Sequence, residues 1–264
     1  MKSRAVLNTE KRNSRSFSID SMSTIDVLKT INEEDSIIAG AVKAAIPEID
    51  KTVKHTINSI KNGGRVFYIG AGTSGRLGVL DASEIPPTFS APADYFIGII
   101  AGGDKALRNS IEGAEDLVKN AIIDLKPYTI NKMDTVIGIS CSGAASYVVS
   151  ALEYARKMHA KTIYLVTNPN PYHNAEVDVV INADTGPEII TGSTRMKAGT
   201  ATKMVLNMIS TATMIKLGKV YGNLMVDLKT VNNKLIDRGV RIISDITGIE
   251  YHQAKKRLLL AKNS

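Results

Sequence analysis

The chain has 264 residues, of which 44% are hydrophobic and 22% charged, so a disordered, collagen-like or coiled-coil protein is excluded. The formal net charge is +7, but residues 1–16 and 251–264 each carry a net charge of +4, and the residues between them carry −1. Because the positive charge lies only at the two ends, and because the chain has no Trp and only 5% aromatic residues, we do not expect a nucleic-acid partner. No apolar run reaches the roughly 18 residues of a membrane span and the N-terminus lacks a signal-peptide pattern, so we expect a soluble cytoplasmic protein without membrane contacts.

The N-terminal part is predicted to be an arm followed by helices. Residues 1–22 are polar and rich in Ser and Arg, which predicts a loosely ordered arm. Ser23 followed by Asp26 fits a capping box, so a helix should begin there. A second helix is predicted over 49–62, ending at two glycines that tolerate a left-handed C-cap.

Five short β-rich runs alternate with helical patterns in the centre of the chain. Most of these runs are continuously apolar, as expected of strands that are covered on both faces. The alternation predicts an α/β fold in which helices flank a parallel five-stranded sheet, a three-layer αβα arrangement. The predicted strands are 65–70, 95–101, 135–140, 162–167 and 177–181, and the predicted helices between them cover about 75–83, 104–124 and 144–158.

The region after Asp184 is predicted to be helical. Met196–Leu217 and Leu228–Ile246 have helical apolar spacing, and residues 251–264 begin a further helix. The first of these helices carries apolar residues around more of its circumference than one buried face needs. We therefore expect a homodimer with two-fold symmetry, whose sites borrow residues across the interface.

The segment G-A-G-T-S-G at 70–75 follows a predicted strand and opens a helix, where free N–H groups and the helix dipole favour an anion. It also fits a dinucleotide fingerprint, but the acidic residue that should follow, Asp104, comes too late in the chain. The hydroxyls of Thr73 and Ser74 suit a terminal phosphate better than a pyrophosphate. A tight turn without any ligand is the structural alternative.

A second hydroxyl-rich turn, S-C-S-G at 140–143, ends the third predicted strand. Because the carboxyl ends of parallel strands share one edge of a sheet, two such turns can hold one phosphate. Cys141 lies between the two serines, and none of the four histidines has a spacing that supplies a thiol's base or a metal site. Cys141 is therefore interpreted as a small packing residue, and the histidines as surface residues.

Two glutamates and one loop complete the candidate site. Glu84 precedes two prolines that should end its helix, and a carboxylate at a helix C-terminus tends to have a raised pKa. Glu115 follows Gly113, whose presence in a helix suggests close approach of backbone or ligand. Both glutamates also fit solvated or ion-paired side chains. The segment 186–200 brings hydroxyls and the cations Arg195 and Lys197 to the start of a helix, which suits an anion or an ordinary N-cap.

Together these residues resemble the N-acetylmuramic acid 6-phosphate etherases, a family built on a sugar isomerase (SIS) domain. The resemblance covers about Asp26 to Gly248, and the 186–203 segment is shared with the glucokinase regulatory proteins, which bind sugar phosphates without catalysis. It rests on G-A-G-T-S-G-R-L-G-V-L-D-A-S-E-I-P-P-T-F, I-A-G-G-D, E-G-A-E-D, G-P-E-I-I-T-G-S-T-R-M-K-A-G-T and G-K-V-Y-G-N-L-M-V-D.

The resemblance implies cleavage of the D-lactyl ether of N-acetylmuramic acid 6-phosphate by elimination and then water addition, with no cofactor and no metal. Glu84 would be the acid that assists lactate departure, and Glu115 the base at carbon 2. A sugar-phosphate-binding regulator and a nicotinamide oxidoreductase are the alternatives. The implied substrate- and phosphate-binding residues are Gly72, Thr73, Ser74, Ser140, Ser142, Gly143, Ser193, Thr194, Arg195 and Lys197.

The resemblance also divides the chain, into an N-terminal arm with helices (1–56), an SIS domain (57–220) and a helical C-terminal extension (221–264). Two departures from the family pattern stand out. Where the family has S-G-R-T-P, this chain has Ala144 and Ala145, so an arginine and a threonine hydroxyl are absent and phosphate affinity or substrate choice is expected to differ. The extension is shorter than in the family, so we expect a less stable or less active dimer.

Overall fold

A computed structural model describes residues 4–227 and 232–261 of the chain. At its centre lies a five-stranded sheet of order β2-β1-β3-β4-β5, in which all neighbouring strands are parallel. The predicted fold class is confirmed, and each strand lies within two residues of its predicted run. The strands are β1 (Val66–Gly70), β2 (Phe96–Ile100), β3 (Thr135–Ile139), β4 (Lys161–Val166) and β5 (Val179–Asn182).

Helices cover both faces of the sheet and bury two apolar clusters. One cluster joins one face of the strands to the helices that precede β1, to the helix after β1 and to the long helix after β5. The other joins the opposite face to the helices around β3. These helices are α1 (Thr24–Asp35), α2 (Ile38–Ala44), α3 (Ile46–Lys61), α4 (Gly72–Phe89), α5 (Lys105–Arg108), α6 (Val118–Leu125), α7 (Ser146–Lys157) and α8 (Lys197–Lys216).

The prediction of a single helix over 104–124 is wrong. The structure divides it into α5, a 3-10 turn at Ala114–Asp116 and α6. The helix already ends at Arg108, since Asn109 is extended, and Gly113 within the break has φ of 74°, the left-handed backbone that glycine tolerates. This break carries Glu115 on a turn at the edge of the sheet.

The prediction that two prolines end the helix before them is also wrong. The helix α4 begins at Gly72 and runs through Pro86 and Pro87 to Phe89. The two prolines remove two backbone N–H donors, but Ile85 and Phe89 on either side are buried and hold the last turn against the core. Tertiary packing thus overrides the local preference.

The N-terminal arm, residues 4–22, consists of short 3-10 turns and is packed against the body of the protein, not loosely ordered. Thr9 accepts a hydrogen bond from Gly192 N–H at 3.1 Å, and Ser16 donates one to the Ile189 carbonyl at 2.7 Å. Arg4 lies 3.9 Å from a carboxylate oxygen of Asp116. The arm therefore contacts both the 186–196 loop and the turn that carries Glu115.

The last part of the chain forms a small hairpin and two helices, α9 (Asn233–Thr247) and α10 (Tyr251–Leu260). The hairpin pairs β6 (Val220–Tyr221) with β7 (Leu224–Met225). The start of the predicted helix Leu228–Ile246, at 228–231, lies outside the described residues, as do 1–3 and 262–264. None of the described helices is long and apolar enough to cross a membrane.

Candidate active site

The strand order reverses between β1 and β3, and open α/β sheets bind ligands at such a switch point. Gly70 at the end of β1 pairs with Ile139 at the end of β3, so the turns that follow them are neighbours. These are the two hydroxyl-rich turns found in the sequence. The first is very tight, because a Cβ on Gly70 would lie 2.7 Å from the backbone nitrogen of Gly75.

A pocket of about 160 Å³ opens between the two turns, and we call it the hydroxyl pocket. The helices α4 and α7 both begin beside it, and the residue before α4 provides no side-chain cap for that helix. Free amides at the start of a helix favour an anion. Seven of the predicted site residues line the pocket: Gly72, Thr73, Ser74, Glu115, Ser140, Ser142 and Thr194.

Both serines of the second turn are held by the backbone. The hydroxyl of Ser140 accepts a hydrogen bond from Ala145 N–H, and that of Ser142 accepts one from Ala144 N–H, each at 3.3 Å. A hydroxyl that accepts in this way can still donate its own hydrogen to an anion. Gly143 shapes the turn, with φ of 74° and a Cβ position only 2.4 Å from Pro171.

The 186–196 loop reaches the hydroxyl pocket through Thr194 alone. Ser193 and Arg195 are not among the residues that line this pocket, and Arg195 is exposed. Lys197 is buried, and its Nζ lies 2.5 Å from Oε2 of Glu34 on α1. The Lys197 ammonium is therefore bound within the protein and not directed at the pocket.

Two buried glutamates, Glu34 and Glu188, support this loop and were not anticipated from the sequence. Glu188 accepts hydrogen bonds from the N–H groups of Lys197 and Ala198, at 3.0 and 2.9 Å, and so occupies the anion position at the start of α8. Burial raises its pKa, although these amides and the Lys197 charge oppose the rise. No sequence signal identifies it, since it precedes α8 by nine residues and not by the spacing of a capping residue.

Glu115 lines both the hydroxyl pocket and a second cavity of about 200 Å³ beside it, which we call the adjoining cavity. The two spaces share Ala71 and Gly72 as well. The carboxylate of Glu115 is exposed, on the turn that follows Gly113. It can therefore reach a ligand that extends from one space into the other.

Glu84 lies elsewhere, on the exposed side of α4. It is twelve residues beyond Gly72, which corresponds to about 18 Å along the helix axis. It lines a separate cavity of about 260 Å³, with Asp81 and Lys203, whose side chains are 2.8 Å apart. Burial and the Asp81 carboxylate raise the pKa of neighbouring Tyr68 well above its ordinary value. Within one chain the structure does not bring Glu84 and Glu115 together.

Cys141 is buried and lines the hydroxyl pocket, with its sulfur 3.6 Å from Ser74 Oγ and 3.7 Å from Thr202 Oγ1. These contacts agree with a packing role. His173 differs from the expected surface residue, because it is half-buried and its Nε2 lies 3.3 Å from Ser146 Oγ. In 4–227 and 232–261, no three His, Cys, Asp or Glu side chains are grouped as a metal site requires.

Comparison with family models and solved structures agrees with this arrangement. Residues 48–156 match the glucokinase regulatory protein N-terminal SIS domain, and 222–262 match the C-terminal lid domain of glucokinase regulatory protein. A phosphoheptose isomerase from Francisella tularensis shares the fold, with a TM-score of 0.51 and 20% identity over 72% of this chain and all of that one. The structure of E. coli CFT073 c3406 in complex with A5P gives a TM-score of 0.54 and 18% identity, over 76% of this chain and 97% of that one.

Much higher identity links the chain to three bacterial proteins, each called N-acetylmuramic acid 6-phosphate etherase. The Bacillus licheniformis protein, etherase 1, is 52% identical over 97% of this chain and 84% of its own length. The Caldanaerobacter subterraneus protein is 53% identical over 92% of this chain and 79% of its own length. The Lactococcus lactis protein is 48% identical over 97% of this chain and 86% of its own length. In each case the similarity includes the sheet and both turns of the hydroxyl pocket.

Proposed function

The chain belongs to the N-acetylmuramic acid 6-phosphate etherase family, and from this premise we propose how its residues carry out the reaction. The protein is a carbon–oxygen lyase. It cleaves the D-lactyl ether of N-acetylmuramic acid 6-phosphate to give N-acetylglucosamine 6-phosphate and D-lactate. The observation that carries the proposal is the position of Glu115 on the wall of the hydroxyl pocket.

The substrate phosphate binds in the hydroxyl pocket. Thr73, Ser74, Ser140, Ser142 and Thr194 surround it, and the amides at the start of α4, beginning with Gly72, add backbone donors. The remaining predicted residues do not line the pocket and act indirectly. Gly143 shapes the second turn, Ser193 and Arg195 belong to the loop that presents Thr194, and Lys197 is the first residue of α8 directly after that loop.

The reaction begins with the open-chain aldehyde, whose carbonyl acidifies the proton on carbon 2. The Glu115 carboxylate takes that proton, and the C–H electron pair moves onto the carbonyl oxygen. The electron pair then returns to form the carbon 2–carbon 3 double bond and expels the lactyl oxygen, which Glu84 protonates. Water adds to the double bond and completes N-acetylglucosamine 6-phosphate. One carboxyl group that accepts a proton and one that donates a proton are enough for these steps.

Glu84 acts from a second copy of the chain. The acid and the base must flank two adjacent carbon atoms, yet Glu84 lies about 18 Å along α4 from the pocket in its own chain. Its cavity is lined by residues of α4 and α8, among them the exposed apolar Leu80, and α8 also exposes Met208 and Ile215. A two-fold homodimer through these helices covers that apolar surface and supplies each pocket with the other chain's Glu84.

The domain division and the location are also part of the proposal. We assign 1–56 to the arm and helices that brace the site, 57–220 to the sugar-phosphate domain and 221–264 to a C-terminal extension. The extension has a small core of its own, around Val240, Ala254 and Leu258. A cytoplasmic location is supported by the single cysteine, Cys141, which is a buried free thiol as in proteins of reducing compartments.

The proposed function is tested by incubating the protein with N-acetylmuramic acid 6-phosphate in deuterated water. The expected products are free D-lactate and N-acetylglucosamine 6-phosphate with deuterium at carbon 2. A Glu115→Gln variant serves as the matched control and should give neither. Binding of the sugar phosphate without turnover by the unaltered protein would contradict the proposed function.

A further inference from the structure

Arg76 lines the adjoining cavity, one turn of α4 after Gly72. Its Nε donates a hydrogen bond to the Leu107 carbonyl at 3.2 Å, and its Nη2 donates one to the Asn109 carbonyl at 3.1 Å. The guanidinium group is therefore held by the backbone of the segment between β2 and Glu115. Two anchors fix its plane, so little conformational entropy remains to be lost when it binds a ligand.

The positive charge of Arg76 is not neutralised by a carboxylate. Among the described residues, no ion pair within 4.0 Å includes it, whereas the guanidinium of Arg65 lies 2.9 Å from Asp134. The nearby Glu112 accepts a hydrogen bond from the Ser110 hydroxyl at 2.6 Å. The half-buried guanidinium has neutral hydrogen-bond partners, so it presents an unpaired positive charge to the adjoining cavity, which the carboxylates of Glu112 and Glu115 also line. An anionic oxygen in direct contact with that guanidinium would be stabilised.

The arrangement of the hydroxyl pocket and the adjoining cavity indicates which oxygen of the substrate Arg76 contacts. The substrate phosphate, on carbon 6, binds in the hydroxyl pocket, and Glu115 lies on the boundary between that pocket and the adjoining cavity. Because Glu115 acts on carbon 2, carbon 1 and its oxygen extend beyond it, into the cavity lined by Arg76. This step rests on the proposed function.

We propose that Arg76 binds the carbon 1 oxygen and stabilises the negative charge that it gains when Glu115 removes the carbon 2 proton. The electron pair of the broken C–H bond moves to that oxygen and forms an enolate. It returns when the carbon 3–oxygen bond breaks, and the departing lactate takes a proton from Glu84. Arg76 neither gains nor loses a proton, because a guanidinium stays charged throughout the working pH range. Its contribution is the electrostatic stabilisation of an oxyanion.

The lactyl carboxylate is the other anion that Arg76 could meet, and the two assignments give different results with the product. N-acetylglucosamine 6-phosphate has no lactyl group, but its carbon 2 proton can exchange with deuterated water through the same enolate. An enolate-binding arginine is needed for exchange in both compounds. A carboxylate-binding arginine is needed only for the substrate.

The test measures carbon 2 exchange in N-acetylglucosamine 6-phosphate and lactate release from the substrate, for Arg76→Ala, Arg76→Lys and the control Arg108→Ala. Arg108 is an exposed arginine of the same segment. Loss of one oxyanion donor costs roughly 10²–10³-fold in rate, so Arg76→Ala should lose both activities by that factor with little change in KM, while Arg108→Ala keeps them. Millimolar guanidinium chloride should partly restore Arg76→Ala, and equal sodium chloride should not.

Several outcomes would overturn this role of Arg76. One is exchange in Arg76→Ala within threefold of the unaltered enzyme, with or without loss of lactate release. If Arg76→Ala does not fold, the Arg76→Lys variant is the test, because lysine keeps the positive charge but lacks the planar guanidinium group. Exchange as fast as in the unaltered enzyme, together with a raised KM, would then indicate that Arg76 has only a structural role. Absence of lactate release by the unaltered protein would instead overturn the proposed function, and this assignment with it.

Discussion

The ammonium of Lys197 lies 2.5 Å from Oε2 of Glu34, and the same oxygen accepts a hydrogen bond from Asn13 at 2.7 Å. Lys197, Glu34 and Asn13 are all buried. The pair connects α1 and the arm to the start of α8, directly after the loop that presents Thr194 to the hydroxyl pocket. A buried pair of this kind fixes geometry more than it adds stability.

Removing one partner of this pair should be costly. Glu34→Gln leaves the Lys197 ammonium buried without its ion-pair partner, and we expect a loss of about 3–5 kcal/mol in the free energy of unfolding, measured by urea denaturation. Combining Glu34→Gln with Lys197→Met should recover most of that loss. A double variant as unstable as the single one would show that the buried charge is not the cause.

The pair should also make stability depend on acid pH. Burial would raise the pKa of Glu34, but the hydrogen bonds from Lys197 and Asn13 and the charges of Lys197 and Arg15 outweigh it and lower the pKa below 4.5. A lowered folded-state pKa gives stability that is fully present above 4.5 and is lost as the pH falls through the folded value. Compared with Glu34→Gln, the unaltered protein should lose stability more steeply below pH 4.5. Parallel curves would contradict this assignment.

The two proposed catalytic carboxylates should fail in different ways. Glu115→Gln should abolish both lactate release and exchange of the carbon 2 proton, since an amide cannot accept that proton. Glu84→Gln should block lactate release and leave some exchange, which is measured by NMR in deuterated water. Equal loss of exchange in both variants would reject this division of roles.

The proposed dimer makes a prediction about mixtures. If each site takes Glu115 from one chain and Glu84 from the other, a heterodimer of Glu84→Gln and Glu115→Gln chains has one intact site and one doubly altered site. Random exchange of two inactive variants should then restore about a quarter of the unaltered activity. No recovery, in a mixture that native mass spectrometry shows to contain heterodimers, would place both residues of a working site in one chain.

The hydroxyls of the pocket should affect binding more than turnover. Ser142→Ala or Thr73→Val removes a hydrogen bond to a charged phosphate, which is worth about 1.5–3 kcal/mol. Each should raise KM more than it lowers kcat, because phosphate is bound alike in the ground and transition states. Ser83→Ala on the exposed side of α4 is the matched control. An unchanged KM in both pocket variants would show that the phosphate binds elsewhere.

The sheet and the two turns could be predicted from the sequence because their signals are local. Apolar runs such as 135–140 can hardly be anything but covered strands, and the hydroxyls at 73–74 and 140–142 follow strands that must end at the same edge. The strand order then brings those turns together without further information.

What could not be predicted depends on contacts distant in sequence. Pro86 and Pro87 signal the end of a helix, yet buried Ile85 and Phe89 continue it. The capping of α8 by Glu188 and the ion pair of Glu34 arise only when the chain is folded. The separation of Glu84 from Glu115 arises because Glu84 lies twelve residues along α4 from Gly72, whereas Glu115 lies on a turn beside the start of that helix.

The contact between Glu34 and Lys197 joins residues 163 positions apart. Contacts of such high sequence separation close large loops and form late in folding, after neighbouring strands and helices have assembled. An intermediate with a complete sheet would then still lack the arm and the ordered 186–196 loop, and so would lack Thr194 in its pocket. Sugar phosphate present during refolding would bind only the finished chain, and would therefore slow its unfolding without accelerating its folding.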